Sequence, residues 1–114
     1  MKMKIHHAPN TRSVRTVWLF EELGLRYDIQ FHKLGDPEMR SQEYRKIHPM
    51  GRVPALEDGD VTILESGAIV EYVLSKYGEG RMRPTADSTD FAGYLQWLHY
   101  AEGMIMPPVN IIVV

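Results

Sequence analysis

The sequence contains no cysteine. This absence excludes disulfide bonds, cysteine-ligated metals and redox catalysis by a thiol of the protein itself. No apolar run approaches the ~20 residues of a membrane-spanning helix, and the amino-terminal residues lack the apolar core of a signal peptide. No basic run is present and the net charge is −2, so a nucleic-acid partner has no electrostatic support. We therefore expect a cytoplasmic protein without a membrane or nucleic-acid partner.

The composition is that of an ordinary globular protein. The 114 residues are 44% hydrophobic and 25% charged, and this length corresponds to one domain. Five histidines are present, but they show no metal-ligand spacing. His6 and His7 are adjacent on a predicted strand and would point to opposite faces, so no metal site is predicted.

Periodicity predicts alternating strands and helices. Tyr27, Ile29 and Phe31 alternate on one face of a half-buried strand, whereas Ile69 and Val73 belong to a helical stripe. The predicted elements are a strand at 3–7, a helix carrying Val14, Val17, Trp18 and Leu23, a strand at 26–32, a loop at 34–49 with a short irregular helix over 42–47, strands at 55–57 and 61–64, and a helix that ends before Gly78.

This order predicts an α/β, thioredoxin-like β-α-β-α-β-β-α domain with a mixed four-stranded sheet. The first half needs a parallel strand pair with a right-handed crossover, and the second half is an antiparallel hairpin followed by a helix. We assign this domain to residues 1–78, a linker to 79–87, and the start of a helical domain to 88–114. Pro107 and Pro108 must end or kink the helix of that second part.

The stretch from Gly51 to Ile69 carries the strongest functional pattern. Pro54 stands where a strand begins, and Val53–Pro54 is a candidate for a cis peptide bond. The Val53 backbone groups would then face outward and could pair with a peptide. Ser66 can cap a helix whose amino terminus attracts a carboxylate, and Glu65 could accept from an ammonium group.

We call Val53, Pro54, Glu65 and Ser66 the peptide clamp, because together they offer the parts needed to hold a small peptide such as glutathione. Each part also has an ordinary structural interpretation. Asp58-Gly59 between two short strands is a common hairpin turn, and Glu65-Ser66 is a common start of a helix. The ordered combination is more specific than its parts.

The pattern G-R-V-P-A-L…E-S-G-A-I resembles the N-terminal domain of cytosolic glutathione transferases. The segments H-H-A-P-N-T-R-S-V-R-T-V-W-L-F-E-E-L-G-L, I-H-P-M-G and I-V-E-Y-V-L-S-K-Y-G agree in order. The segment W-L-H-Y-A-E-G-M-I-M-P-P resembles the first helix of the C-terminal domain in a bacterial and fungal branch. The resemblance implies glutathione as co-substrate without a further cofactor, a small electrophilic substrate, a homodimer and a role in detoxification.

The resemblance also places a thiol-activating residue at the start of the first helix. No tyrosine precedes Tyr27 and no cysteine exists, so the tyrosine and cysteine types are excluded. The candidates are Asn10, Thr11 and Ser13, with Asn10 at the position that the serine type uses. Lowering a thiol pKa by about two units requires ~2.7 kcal/mol of differential stabilisation. The same three residues could instead serve only as a helix cap.

Two further cations are candidates for binding a glutathione carboxylate. Arg52 occupies a position where the family often has a lysine, glutamine or arginine with this role, and it could equally be a surface residue. Lys33 is a candidate for the glycine carboxylate of the ligand. Arg12 could add positive charge near the thiol or be solvated.

Two functions remain open from the sequence. The leading hypothesis is a glutathione transferase that activates the glutathione thiol for attack on an electrophile or a disulfide. The alternative is a non-catalytic interaction module with the same fold. The chain ends on the apolar sequence I-I-V-V soon after the helical domain begins, so we expect a fragment, a truncated product or a chain whose remainder is missing. We expect such a chain to bind glutathione and to turn over poorly.

Overall fold

The computed structural model describes residues 3–113, with side chains as far as Ile112. Residues 1 and 114, where the predicted domains begin and end, lie outside this range. The elements are β1 (Met3–His7), α1 (Val14–Leu23), β2 (Asp28–Phe31), a 3₁₀ helix (Pro37–Arg40), α2 (Gln42–Arg45), β3 (Ala55–Asp58), β4 (Val61–Leu64), α3 (Ser66–Tyr77), α4 (Phe91–Tyr100), a π-helical turn (Ala101–Ile105) and α5 (Met106–Val113). Contacts group the chain into two compact units that divide within α3, between Val73 and Leu74.

The first unit contains the mixed four-stranded sheet that the sequence predicts. Its strand order is β2-β1-β3-β4, with β1 parallel to β2 and antiparallel to β3, and with β3 antiparallel to β4. The register places His6 opposite Ala55, and Ala55 opposite Leu64. The residues that follow β1, precede β3 and follow β4 therefore lie at the same end of the sheet.

The apolar core includes one face of this sheet and the inner faces of two helices. Ile5 and Leu56 lie opposite each other on β1 and β3 and are fully buried. Phe20 of α1 and Ile69 and Val73 of α3 are fully buried as well. Burial of such side chains contributes about 1.5–3 kcal/mol each, so this face supplies much of the stability.

Helix α1 buries a stripe that shares only Leu23 with the one that its spacing suggested. Thr16, Leu19 and Phe20 face inward, whereas Val14 and Trp18 are 54% and 53% exposed. The helix carries apolar residues on more than one side, so spacing predicts the helix correctly and leaves its inward face undecided. The sheet decides that face by contact with β1.

Two predictions between β2 and α2 were wrong. Phe31 ends an edge strand and is 60% exposed, so the strand face that contains it is not uniformly half-buried. A 3₁₀ helix also forms within the predicted loop. Asp36 caps it by accepting from the Glu38 amide at 2.9 Å, and Pro37 fits its first position because no amide is needed there.

The second unit is helical. A π-helical turn separates α4 from α5, and Pro107 and Pro108 fall in the first turn of α5, where missing amides are tolerated. The helical geometry thus changes to a π-helical turn just before these prolines, and the helix does not end at them. Trp97 is 63% exposed and packs edge-on against Tyr100, with ring centroids 5.1 Å apart. None of the helices within residues 3–113 is long and apolar enough to cross a membrane.

Replacement of Gly51 by alanine should destabilise the fold strongly. Gly51 has φ +64°, and a Cβ there would lie 2.4 Å from the Met39 carbonyl oxygen. Gly59 has φ +60° with nothing within 4 Å of the place that a Cβ would take, so it is a matched control. We expect Gly59→Ala to cost about 1 kcal/mol and Gly51→Ala about 3 kcal/mol of unfolding free energy. Equal losses in urea unfolding would show that the close approach of Met39 does not constrain position 51.

Candidate functional site

Three segments of the first unit meet at one end of the sheet. Asn10 and Thr11 follow β1, Val53 and Pro54 precede β3, and the Glu65–Ser66 pair follows β4. A side-chain hydrogen bond links two of these segments directly, because Arg15 Nη1 of α1 donates to Ser66 Oγ over 3.2 Å. The fold thus brings these predicted site residues from separate parts of the chain to one end of the sheet.

The Val53–Pro54 peptide bond is cis, in agreement with the prediction from the sequence. Pro54 is buried and Val53 is half-buried. Neither the amide nor the carbonyl of Val53 has a hydrogen-bond partner within residues 3–113. Half-exposed backbone groups of this kind can pair with an extended peptide ligand, as happens at the edge of a sheet.

The start of α3 differs in detail from the prediction. Glu65, rather than Ser66, occupies the capping position, and its carbonyl accepts from the Ile69 amide at 2.9 Å. Ser66 is the first residue of the helix, is buried, and uses its hydroxyl to accept from Arg15. Glu65 has φ +74°, a conformation that costs a residue with a side chain about 1–3 kcal/mol. Its side chain is exposed beside the amino terminus of α3.

The three thiol-site candidates differ sharply in exposure. Ser13 is fully buried, and its hydroxyl lies 2.7 Å from His7 Nδ1 and 2.6 Å from Thr11 Oγ1. It also accepts from the Ala8 amide at 3.0 Å and does not cap α1 through its side chain. Ser13 is therefore a structural residue that a ligand cannot reach, because its hydroxyl serves the β1–α1 connection.

Asn10 and Thr11 remain at the surface. Thr11 is half-buried and donates its hydroxyl proton to the Ala8 carbonyl at 2.7 Å. Asn10 is exposed and has φ +62°, a left-handed conformation that asparagine tolerates better than most residues. Its side-chain amide is thus the most accessible hydrogen-bond donor of the three candidates.

The predicted cations lie apart from one another. Arg52 has an exposed side chain, and Arg12 is half-buried with a partner in the structure. Lys33 follows β2, which is two strands and hence about 10 Å from β3. Lys33 borders an open groove of about 540 Å³ that is lined by Pro9, Gln30, Phe31, His32, Lys33, Asp36 and Glu38.

The opposite face of the sheet carries a buried polar cluster that sequence reasoning missed. His6 and His7 point to opposite faces, as predicted, and His6 Nδ1 lies 2.9 Å from His32 Nε2. Glu57 contacts His6 Nε2 at 2.6 Å, and the Tyr44 ring packs against both imidazoles. No sequence signal joins these residues, because they lie on strands and loops far apart in the chain.

His48 is another buried histidine, and its burial was not predicted from the sequence. Its Nδ1 accepts from the Met50 amide at 3.2 Å, so in this arrangement the ring proton is on Nε2. Burial lowers the pKa of His48, and it lowers the pKa of His6 and His7 as well. Within residues 3–113, no group of three histidine, aspartate or glutamate side chains could hold a metal ion.

Comparison with known proteins identifies the first unit. Residues 1–75 match the N-terminal domain of glutathione S-transferase. The chain belongs to this family. It is 36% identical over 103 residues to glutathione S-transferase 3 of Schizosaccharomyces pombe, an alignment that covers 90% of this chain and 42% of that relative. Against glutathione S-transferase 1 of Saccharomyces cerevisiae it is 35% identical over 117 residues, with 96% and 49% covered.

Solved glutathione transferase structures share the fold. A homolog from Sulfitobacter with bound glutathione has a TM-score of 0.80 and 29% identity, and the match covers 90% of this chain and 49% of that one. A homolog from Lodderomyces elongisporus, with two glutathione molecules per subunit, has a TM-score of 0.86, 23% identity and coverage of 94% and 53%. The chain therefore spans about half the length of the glutathione transferases that it matches.

The stability of this glutathione transferase unit should fall on acidification. Burial lowers the pKa of His6, His7 and His48, so below the ordinary histidine pKa of about 6.5 the unfolded chain binds more protons than the folded one. The unfolding free energy should therefore be highest above that pH. It should decrease as the pH falls towards the lower pKa values of these histidines in the folded state. Urea unfolding at about pH 7.5 and about pH 5.5 measures this difference.

A variant of His48 isolates the contribution of one histidine to this pH dependence of stability. In His48→Asn, the amide oxygen can still accept from the Met50 amide, but the side chain no longer titrates. We expect a smaller decrease in stability between the two pH values than in the unsubstituted protein. An unchanged decrease would show that His48 does not contribute.

Proposed function

We propose that this chain binds glutathione at the peptide clamp and, as part of a glutathione transferase, stabilises the glutathione thiolate for attack on a small electrophile or a disulfide. The observation that carries the proposal is the Val53 backbone, which has no hydrogen-bond partner within residues 3–113 and lies at the same end of the sheet as the start of α3. The solved relative from Sulfitobacter that holds glutathione supports the choice of ligand.

Each part of glutathione has a counterpart in this site. The cysteinyl amide unit would pair with the N–H and C=O of Val53. The α-carboxylate of the γ-glutamyl group would accept from the first amides of α3, where the helix dipole favours negative charge. The exposed Glu65 carboxylate would accept from the γ-glutamyl ammonium group. Arg52 and Lys33 are exposed and could attract the glycine carboxylate.

The thiol would lie near Asn10 in this arrangement. Asn10 can donate a hydrogen bond to sulfur but cannot remove its proton, so its role is to stabilise the thiolate. A hydrogen bond to a charged acceptor contributes about 1.5–3 kcal/mol. This range includes the ~2.7 kcal/mol needed to lower the thiol pKa by about two units. Thr11 supports this role indirectly, because its hydroxyl proton already binds the Ala8 carbonyl and holds the loop.

The wider role is proposed on family resemblance alone. We propose a homodimer in the cytoplasm that conjugates small electrophiles in detoxification. The net charge of −2 without a basic run supports small-molecule rather than nucleic-acid partners.

Substitution of Ser66 by alanine should weaken glutathione binding. Ser66 opens α3 beside the position proposed for the γ-glutamyl carboxylate, and its loss also removes the acceptor for Arg15. We expect calorimetric titration with reduced glutathione to give about a tenfold higher Kd. Ser75→Ala, on the exposed side of the same helix, is the matched control and should bind normally. Unchanged affinity in Ser66→Ala would show that the clamp is assigned wrongly.

Replacement of Asn10 by glycine should raise the pKa of the bound thiol. Glycine adopts φ +62° without strain, so the substitution removes the amide and keeps the backbone. Ultraviolet absorbance of the thiolate, followed across pH with glutathione bound, measures the effect. We expect an increase of about one pH unit relative to the unsubstituted protein. The same thiol pKa in both proteins would exclude Asn10 as the sulfur contact.

The alternative is a non-catalytic interaction module. The observation that favours it is Asn10 itself, since the residue at the proposed thiol site has a side chain that cannot lose a proton. An assay with glutathione and a generic aryl halide separates the two functions. Sustained turnover above the rate in buffer excludes the module.

A further inference from the structure

The loop that leads into the clamp is held from the buried side by Tyr44. This residue is 3% exposed, and its hydroxyl donates to the Arg52 carbonyl oxygen at 2.5 Å. Its backbone carbonyl accepts from the Ile47 and His48 amides at 2.9 Å each. Tyr44 therefore contacts both the first half and the second half of the loop between α2 and β3.

The hydrogen bond to Arg52 fixes the direction of the next amide. The Arg52 carbonyl and the Val53 N–H belong to one peptide unit, and this unit is trans, because Val53–Pro54 is the only cis bond found in the described chain. In a planar trans peptide the carbonyl and the N–H point in opposite directions. Since the carbonyl points towards the buried hydroxyl of Tyr44, the Val53 N–H points away from it.

We propose that Tyr44 is a positioning residue that aims the Val53 amide at the peptide ligand. This inference rests on the proposed binding of glutathione at the clamp. The Val53 N–H has no partner within residues 3–113, as expected for a donor kept for a ligand. Acceptance of a hydrogen bond at the carbonyl of a peptide unit also polarises that unit and strengthens its N–H as a donor.

The surroundings of Tyr44 keep its hydroxyl in place as a donor. The ring packs against both His6 and His32, with centroid distances of 5.5 Å and 4.4 Å, and the two imidazoles are joined to each other at 2.9 Å. Glu57 and Glu38 hold the outer nitrogens of this pair at 2.6 Å and 3.1 Å. Burial, and then the charges of these two carboxylates, raise the pKa of Tyr44, so the hydroxyl retains its proton.

The rest of the loop is fixed independently, which leaves the Arg52–Val53 peptide as the unit that Tyr44 controls. His48 accepts from the Met50 amide through Nδ1 at 3.2 Å and from the Gly51 amide through its carbonyl at 2.8 Å. Gly51 packs so closely on the Met39 carbonyl that no side chain fits. These hydrogen bonds and this packing fix the turn as far as Gly51. None of them involves the Arg52–Val53 peptide unit.

The test is Tyr44→Phe, which removes the hydroxyl and keeps the ring packed against the two histidines. Calorimetric titration with reduced glutathione should give about a fivefold higher Kd. Nuclear magnetic resonance should follow the Val53 amide in the same titration. In the unsubstituted protein this amide should shift as glutathione binds, and in Tyr44→Phe the shift should be much smaller. A purely structural role for Tyr44 would lower stability without reducing this response.

Tyr72→Phe is the matched control. It also removes a tyrosine hydroxyl from the first unit, one that donates to Asp58 Oδ2 at 2.7 Å, at the other end of β3. Its affinity for glutathione should stay within about twofold of the unsubstituted protein. Equal affinity and an equal Val53 shift in Tyr44→Phe and Tyr72→Phe would overturn the positioning role and leave the proposed function standing.

Two further outcomes are distinguishable. Failure of the unsubstituted chain to bind glutathione would overturn the proposed function, and the positioning role with it. If Tyr44→Phe does not fold, the unsubstituted protein decides, because the inference requires its Val53 amide to shift on addition of glutathione. Binding without any response of that amide would overturn the inference.

Discussion

The pairing of β3 with both of its neighbours is the constraint on which the candidate site depends. Because β3 runs antiparallel to β1 and β4, its first residue meets the last part of each neighbour, and the register fixes this row at His6, Ala55 and Leu64. Side-chain direction alternates along each strand, so a slip of one residue would move every core side chain to the wrong face. Burial of Ile5 and Leu56 therefore fixes the register, and the register places the clamp.

The residues before α1 and α3 include two with an unfavourable backbone conformation. Asn10 and Glu65 have positive φ although neither is glycine, and they precede α1 and α3. Such conformations cost about 1–3 kcal/mol each, and they persist where the surroundings determine them. Here the surroundings are the buried Ser13 network on one side and the Ile69 amide bonded to the Glu65 carbonyl on the other. The apolar core offsets the cost.

The two faces of the sheet are packed by different interactions. The face towards α1 and α3 buries aliphatic and aromatic side chains, whose packing is non-directional and supplies stability. The face towards Tyr44 buries His6 and His32, whose bonds to each other and to the more exposed carboxylates of Glu57 and Glu38 require defined distances and angles. A buried polar network of this kind fixes orientation more tightly than apolar contact does. The orientation that it fixes is that of the loop before Val53.

The sequence by itself determined most of the elements, the 3₁₀ helix excepted, and the places of the clamp residues among them. Alternation, the Asp58-Gly59 turn, Pro54 at the start of a strand and the apolar stripe of α3 are signals within a few residues of one another, so they survive without tertiary context. They also bring Val53, Glu65 and Ser66 to one end of the sheet once the strand order is known. Glutathione transferase membership follows from the same local patterns.

Only the tertiary structure decided which of the candidate residues are exposed and which are buried. Ser13 is polar and stands at a helix start, yet it is buried against His7. Tyr44 lies in a segment without periodicity, and its role appears only when its hydroxyl meets Arg52. The partners of His6 lie 26 and 51 residues away in the chain. Burial and hydrogen bonding depend on such distant neighbours, whereas the signals readable in a sequence depend on adjacent ones.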